Sequence, residues 1–251
     1  MAKPKTPQKQ DTSPKVYQRD KIDFELKIRE LPWTEKQQAL IELGADKNSR
    51  VIFLSGPAGS SKTTVAMRIG LELMQQKKVS DIVFVRAAVE SADSKLGFLP
   101  GDINGKYEPY MGPFEDKLEE LLPAGDVKRL KTENRLIYQP INFVRGASWT
   151  AKFIVIDECQ NLTINEIQTL LTRIGKFTKM ILCADSAQSD LPKIKQGGFE
   201  KAAHVFNTVE AQRFGMYSVA FNNDDIMRSE LCKFIVKTFE DNTATLHPPV
   251  M

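Results

Sequence analysis

Cysteine is scarce in this chain: Cys159, Cys183 and Cys232 are the only three in 251 residues, widely separated and without a C-x-x-C pair. That excludes a disulfide framework and a thiolate zinc site, and it leaves the three as buried small apolar residues. Histidine is scarcer still, with His204 and His247 too far apart to suggest an imidazole metal centre. Long apolar runs are also missing. The densest, such as "FIVI" at 153–156, falls far short of the roughly 20 residues needed to cross a bilayer, and no signal-peptide core follows the first residues. The expectation is a cytoplasmic chain with no membrane partner.

Apolar residues nevertheless make up 41% of the sequence, enough to fill the core of one α/β domain at this length. Charge is unevenly placed. Residues 1–21 carry six Lys/Arg against Asp11 and Asp20, so this segment's +4 exceeds the formal +3 of the whole chain. With Pro4, Pro7 and Pro14 in it, residues 1–30 read as a basic disordered tail. Such an arm either holds a polyanion nonspecifically or simply solubilises the chain.

Order is expected from Leu31, where "LPWTEKQQALIELG" sets Trp33, Leu40 and Leu43 along one helical side, with Gly44 at the C-terminal cap. "RVIFLS" then reads as a buried strand and Lys62–Gln76 as a helix. Further strands are expected at "DIVFVR" (81–86), "FIVID" (153–157), "KMILCAD" (179–185) and "YSVAF" (217–221), all dense in β-branched or aromatic residues. Helical patterns between several of them imply right-handed crossovers. The fold class is therefore α/β, a three-layer sandwich around a mostly parallel sheet. Between 89 and 142 the alternation breaks into a Gly- and Pro-rich insertion, in which "FEDKLEELL" reads as a helix and "RLIYQPINFV" as a β pair. A last helix spans Asp225–Glu240, and 241–251 form a C-terminal tail.

The chemistry concentrates in "SGPAGSSKTT" at 55–64. In a phosphate-binding loop, glycines let backbone N–H groups converge on phosphate oxygens, a lysine spans the outer phosphates and the next hydroxyl joins Mg²⁺. Gly56, Pro57, Ala58, Gly59, Ser60, Ser61, Lys62, Thr63 and Thr64 supply that loop between a strand and a helix. Ser61 stands where glycine is expected. If φ must be positive there, the serine costs of order 1–3 kcal/mol, which a well-packed loop can absorb.

"FIVIDECQ" follows the same logic. Its apolar strand ends in Asp157 and Glu158, which belong on the carboxyl edge where the first strand delivers its loop. Asp157 is the candidate metal ligand with Thr63, and Glu158 the candidate for orienting or deprotonating a water. Alternatively, the pair caps the next helix or faces solvent. In "ILCADSAQSDLP", Asp185 and Gln188 follow another buried strand, where an amide can sense a γ-phosphate.

Other residues carry two readings. Gln37 either pairs with adenine through its amide or completes a Thr-x-x-Gln capping box with Thr34, and Gln38 could take either part. Arg228 is a candidate arginine finger or the i,i+4 partner of Asp224. Arg173 neutralises a helix C-terminus ahead of Gly175, and Arg86 ends a strand where it meets phosphate, nucleic acid or solvent. Lys106, Tyr107 and Tyr110 suit single-stranded nucleic acid or a neighbouring subunit.

With these residues assembled, the chain resembles the PhoH family, P-loop ATPases whose RecA-like core is similar to that of superfamily-one helicases. The resemblance runs from about Trp33 to Glu240 on "GPAGSSKT", "LGFLPGD", "RGASW", "FIVIDECQN", "LLTRIG", "ADSAQSDLP" and "DDIMRSELCKFIV". Departures are Ser61 for glycine, Cys159 for alanine and Ala184 for glycine. The resemblance implies a single ATPase domain over 31–240, with ATP and Mg²⁺ as cofactors. It also implies a ring-shaped homo-oligomer such as a hexamer, and single-stranded RNA or DNA as partner. Carried over by position, Lys62, Glu158, Gln188 and Arg228 become the catalytic set, with Arg228 acting across a subunit boundary or within one chain.

Overall fold

The computed structural model describes residues 21–86, 108–141, 144, 148–185 and 197–242. Six strands form one sheet: β1 Val51–Ser55, β2 Asp81–Arg86, β3 Leu136–Pro140, β4 Lys152–Asp157, β5 Lys179–Ala184 and β6 Met216–Ala220. Their order across the sheet is β3-β2-β4-β5-β1-β6, and every pairing is parallel. All six carboxyl ends therefore share one edge. The helices are α1 Glu35–Ala45, α2 Lys62–Gln75, α3 Glu108–Leu121, α4 Ala124–Thr132, α5 Ile164–Leu171, α6 Gly198–Val205, α7 Val209–Arg213 and α8 Glu230–Asp241.

Alternation along each strand separates two cores, one on each face of the sheet. Ile52, Leu54, Ile82, Phe84, Phe153, Val155 and Ile181 pack under α1, α2 and α3. Val51, Phe53, Val83, Val85, Ile154, Ile156 and Leu182 face the opposite way, against Ile167 and Leu170 of α5 and Phe199 of α6. Burial on both faces is what makes β1, β2, β4 and β5 read as continuous apolar runs. Each fully buried side chain of this size contributes about 1.5–3 kcal/mol. The expected three-layer α/β sandwich is the observed one. No helix among the described residues is long and apolar enough to cross a membrane.

Four expectations need correction. Packing begins before Leu31: Ile22 and Leu26 are buried in the first core, and the Arg29 N–H donates to the Leu121 carbonyl. The second half of the supposed insertion belongs to the main fold, because "LIYQP" is a single edge strand parallel to β2 rather than half of a local β pair. Gly44 lies inside α1 and does not end it. A Cβ there would meet Ile69 Cδ1 at 2.7 Å, so the glycine permits close approach of α1 to α2. The helix expected from Asp225 starts only at Glu230, after a short 3-10 turn at Asn223–Asp225. Residues 1–20, the first half of the insertion and 243–251 lie outside the described residues, as do Lys106, Tyr107 and the side chain of Tyr110.

Candidate active site at the carboxyl edge of the sheet

The loop after β1 keeps the backbone that glycine would adopt. Gly59 has φ of 80°, and Ser61, with φ 57° and ψ 25°, occupies the left-handed region as the residue capping α2. Its side chain makes no capping hydrogen bond, so the hydroxyl does not compensate the strain. Ser60 turns the other way. It is buried, and its Oγ donates to the Pro57 carbonyl at 2.8 Å. This hydroxyl braces the loop from within. Gly56 has no room for a side chain, since a Cβ would approach Phe221 Cβ at 2.8 Å.

The parallel register fixes what faces this loop. Ser55 is level with Ala184, and Arg86 with Asp157, so the ends of β1, β5, β4 and β2 lie in a row. A cleft of about 310 Å³ opens above them, lined by the loop from Ala58 to Thr64 except Ser60, and by Asp157, Glu158, Asp185, Arg86 and Arg228. At its floor Thr63 Oγ1 donates to Asp157 Oδ1 at 2.9 Å. The two motifs, 94 residues apart in the chain, converge on one point.

Lys62 folds back within the loop, its Nζ donating to the carbonyls of Gly56 at 2.7 Å and Pro57 at 2.8 Å. Burial lowers its pKa, opposed by the nearby charges of Asp185, Asp157 and Glu158. Asp157 moves in the opposite direction. Burial, and then the neighbouring Glu158, raise its pKa, while the Thr63 hydrogen bond and Arg86 offset part of the rise. A carboxylate held this way is an anion short of a cation. The donor set, one hydroxyl and one carboxylate at a strand end, suits Mg²⁺, which takes few protein oxygens and completes its shell with water and phosphate.

Glu158 does not cap the following turn with its side chain. Its backbone takes φ 57° and ψ 37°, a second non-glycine residue in the left-handed region, and this corner turns the carboxylate into the cleft. There Oε1 meets Arg86 Nη2 at 3.4 Å, and Oε2 accepts from Gln160 Nε2 at 2.5 Å. The Gln160 Oε1 in turn accepts from the Asp185 backbone N–H at 3.0 Å. Gln160 was given no role by the sequence reading. Its place two residues after Glu158, in a motif otherwise accounted for, was the available signal.

Gln37 takes the second of its two readings. The capping box with Thr34 is formed in both directions. The buried amide also donates to the carbonyls of Ser60 at 3.2 Å and Asp225 at 2.9 Å. The group proposed for adenine is occupied inside the chain, beneath the loop and not in the cleft. The same tie draws the 222–228 segment against the loop, assisted by Thr34 Oγ1 on Asp225 and by the Met227 N–H on the Gly59 carbonyl. Arg228 consequently lies over the loop of its own chain, its Cδ 3.2 Å from where a Gly59 Cβ would stand. It is not on a helix, and among the described residues it has no ion pair with Asp224; the i,i+4 reading fails because Ile226 is extended. Arg173 Nε bonds the Thr169 carbonyl in the last turn of α5, as expected of a helix C-terminus. Gln188 lies outside the described residues.

The family model described as "PhoH-like protein" matches residues 30–240, a span containing every element of this cleft. The PhoH-like protein of Synechocystis is 32% identical over 198 residues, and that match covers 79% of this chain and 59% of the relative. Protein PhoH of Escherichia coli K12 is 33% identical over 193 residues, covering 76% of this chain and 53% of the relative. The chain therefore spans a little over half the length of these curated relatives. Among solved structures, unliganded Pif1 from Bacteroides sp superposes at a TM-score of 0.38 with 13% identity, over 86% of this chain and 46% of that one, a correspondence too loose to add to the assignment. The family model spans most of the chain and these curated relatives exceed 30% identity along it, so the chain belongs to the PhoH-like protein family.

Proposed function

We propose that the chain is a magnesium-dependent ATPase that couples hydrolysis to binding, remodelling or movement along single-stranded RNA or DNA. The observation that carries this reading is the 2.9 Å bond from Thr63 to Asp157, which puts the phosphate loop and the acid pair on one site. Thr63 and Asp157 would hold Mg²⁺, which when bound offsets phosphate charge in a loose transition state. Lys62 exchanges the carbonyls of Gly56 and Pro57 for the outer phosphates. Glu158 orients the attacking water or takes its proton. Arg228, beside Gly59, supplies a guanidinium against charge developing at the γ-phosphate, a contribution that can reach 10³ or more in rate. Its place over its own loop supports action within one chain. Gln188 keeps its γ-phosphate role from its place after a buried strand and from the family resemblance, and assembly into a ring rests on the resemblance.

Phosphate release by wild type, Lys62→Ala and Glu158→Gln, with and without single-stranded RNA, tests the proposal. Lys62→Ala should lose turnover, whereas Glu158→Gln should bind ATP and retain it. Equal turnover by Glu158→Gln would sink the mechanism. A second reading is a nucleotide-controlled protein-interaction module. It is favoured by α8, which begins two residues after Arg228 and leaves Leu231, Phe234 and Ile235 exposed. Turnover that RNA does not stimulate, with no RNA binding at low salt, would select it.

A further inference from the structure

Arg86 ends β2 at the rim of the cleft, and its Nη2 pairs with Glu158 Oε1 at 3.4 Å. The row of strand ends explains why. β2 adjoins β4 on the side away from β5 and β1, so Glu158 stands between Arg86 and the loop that serves the nucleotide. Arg86 reaches the carboxylate from the outer flank, where Lys117 of α3 also lines the cleft. Gln160 holds the other carboxylate oxygen. In this conformation both oxygens of the water-handling group are engaged, and one of the two restraints is a cation on a partly open flank, with its side chain 31% exposed.

We infer that Arg86 is a positioning residue that restrains Glu158, and that a backbone phosphate of a polynucleotide arriving at the β2 flank draws the guanidinium away and frees the carboxylate. This rests on the ATPase reading above and adds to it the route by which a strand reaches the chemistry. Phosphate competes well for this group: a guanidinium binds a phosphate as readily as a carboxylate, and each exchange replaces one charge-assisted pair by another. Lys117 gives the arriving strand a second cation on the same flank, although its Nζ now pairs with Glu120 at 2.5 Å. Gln160 remains anchored to the Asp185 backbone throughout, so Glu158 is released on one side only and keeps its place over the cleft.

The test compares wild type, Arg86→Gln and Arg86→Lys by two measurements. The first is phosphate release with and without an oligouridylate. The second is the carboxyl carbon resonance of Glu158 in glutamate-labelled protein, assigned by its loss in Glu158→Gln and followed on adding either the oligouridylate or a non-hydrolysable ATP analogue. The expected result is a basal kcat in Arg86→Gln about threefold to fivefold above wild type, the factor an ion pair of this exposure can hold back. Its KM for ATP should be unchanged, and the oligouridylate should add little further stimulation. In wild type the oligouridylate moves the Glu158 resonance to the position it already holds in Arg86→Gln, and Arg86→Lys recovers part of the restraint.

The inference is overturned if the basal kcat of Arg86→Gln falls to or below wild type, or if that variant is stimulated as strongly as wild type. It is equally overturned if the ATP analogue alone moves the resonance as far as the oligouridylate does, since Arg86 would then answer to the nucleotide. Absence of Glu158-dependent turnover in wild type would instead remove the ATPase reading. The resonance would still decide the Arg86 contact on its own.

Discussion

Replacing Ser61 by glycine should stabilise this protein. Ser61 holds φ 57° and ψ 25°, and a side chain in the left-handed region costs roughly 1–2 kcal/mol through contact of Cβ with the backbone. Nothing offsets that cost locally, because the hydroxyl makes no capping bond. Glycine removes the clash but widens the unfolded ensemble by about 0.4–1 kcal/mol. The difference leaves a net gain of about 0.5–1 kcal/mol. For a chain of this size, one kcal/mol moves Tm by roughly 2–4 °C, so the shift should be about 1–4 °C. Thermal and urea unfolding without nucleotide measure it, and Ser61→Ala is the necessary control. Alanine keeps Cβ and discards the hydroxyl, so it should leave stability within about half a kcal/mol of wild type. A Tm that falls in Ser61→Gly, or that rises equally in both variants, would refute the argument from backbone strain. Nucleotide affinity should not fall in Ser61→Gly, since the loop already has the shape glycine prefers.

Gln37→Leu should cost at least about 2 kcal/mol in urea unfolding, because it strips partners from the Thr34 N–H and from the Ser60 and Asp225 carbonyls, while leaving any preference for ATP over GTP unchanged. A lost base preference with unchanged stability would restore the adenine reading. Asp157→Asn should raise the Tm of the protein free of nucleotide and Mg²⁺. The raised carboxyl pKa means that the folded state binds this proton more tightly than the unfolded chain, so stability is lost as pH climbs from the usual 3.8 through the folded value. The advantage of asparagine should accordingly vanish in acid below that range, and Mg²⁺ should no longer protect the variant. Lys62 predicts a pH limit on binding: its lowered pKa means charge is lost below the ordinary 10.5, so the Kd for a fluorescent ATP analogue should rise earlier in alkali than an ordinary lysine would give. A Kd flat up to pH 10.5 would contradict the burial argument.

The strands were legible wherever both faces are buried. "DIVFVR" has the observed bounds, and "FIVID" and "KMILCAD" are within a residue of β4 and β5, because four or more consecutive buried apolar residues leave little alternative. β3 was misread for the converse reason. Only Leu136 of its five residues is fully buried, and an edge strand of this kind does not encode whether it pairs with its neighbour in sequence or with a distant parallel strand. α4 was missed because its apolar stripe is two residues wide, Val127 and Leu130, in an otherwise polar segment. Ile22 and Leu26 were lost among charged neighbours. At the site, Lys62, Thr63, Asp157 and Glu158 were found because loop and strand-end chemistry follows chain order. The contact of Arg86 with Glu158, 72 residues on, follows from register between two distant strands, which no local pattern carries.

The two left-handed corners that flank the cleft also account for each other. Ser61 immediately precedes Lys62 and Thr63, and Glu158 immediately follows Asp157, so each strained residue is one or two positions from an end of the Thr63–Asp157 bond. Relaxing either corner to an extended or right-handed conformation would swing the adjoining side chain off the strand edge and break that bond. The strain is tolerated because the apolar strands beneath are packed on both faces and do not yield, while Gln37 and Gln160 fix the two corners from below and beside. Strain stored at a site in this way predetermines where Lys62 and Glu158 point before any ligand arrives. A serine can therefore stand in the glycine position without dismantling the loop, because the surrounding fold and not the residue's own preference sets the backbone there.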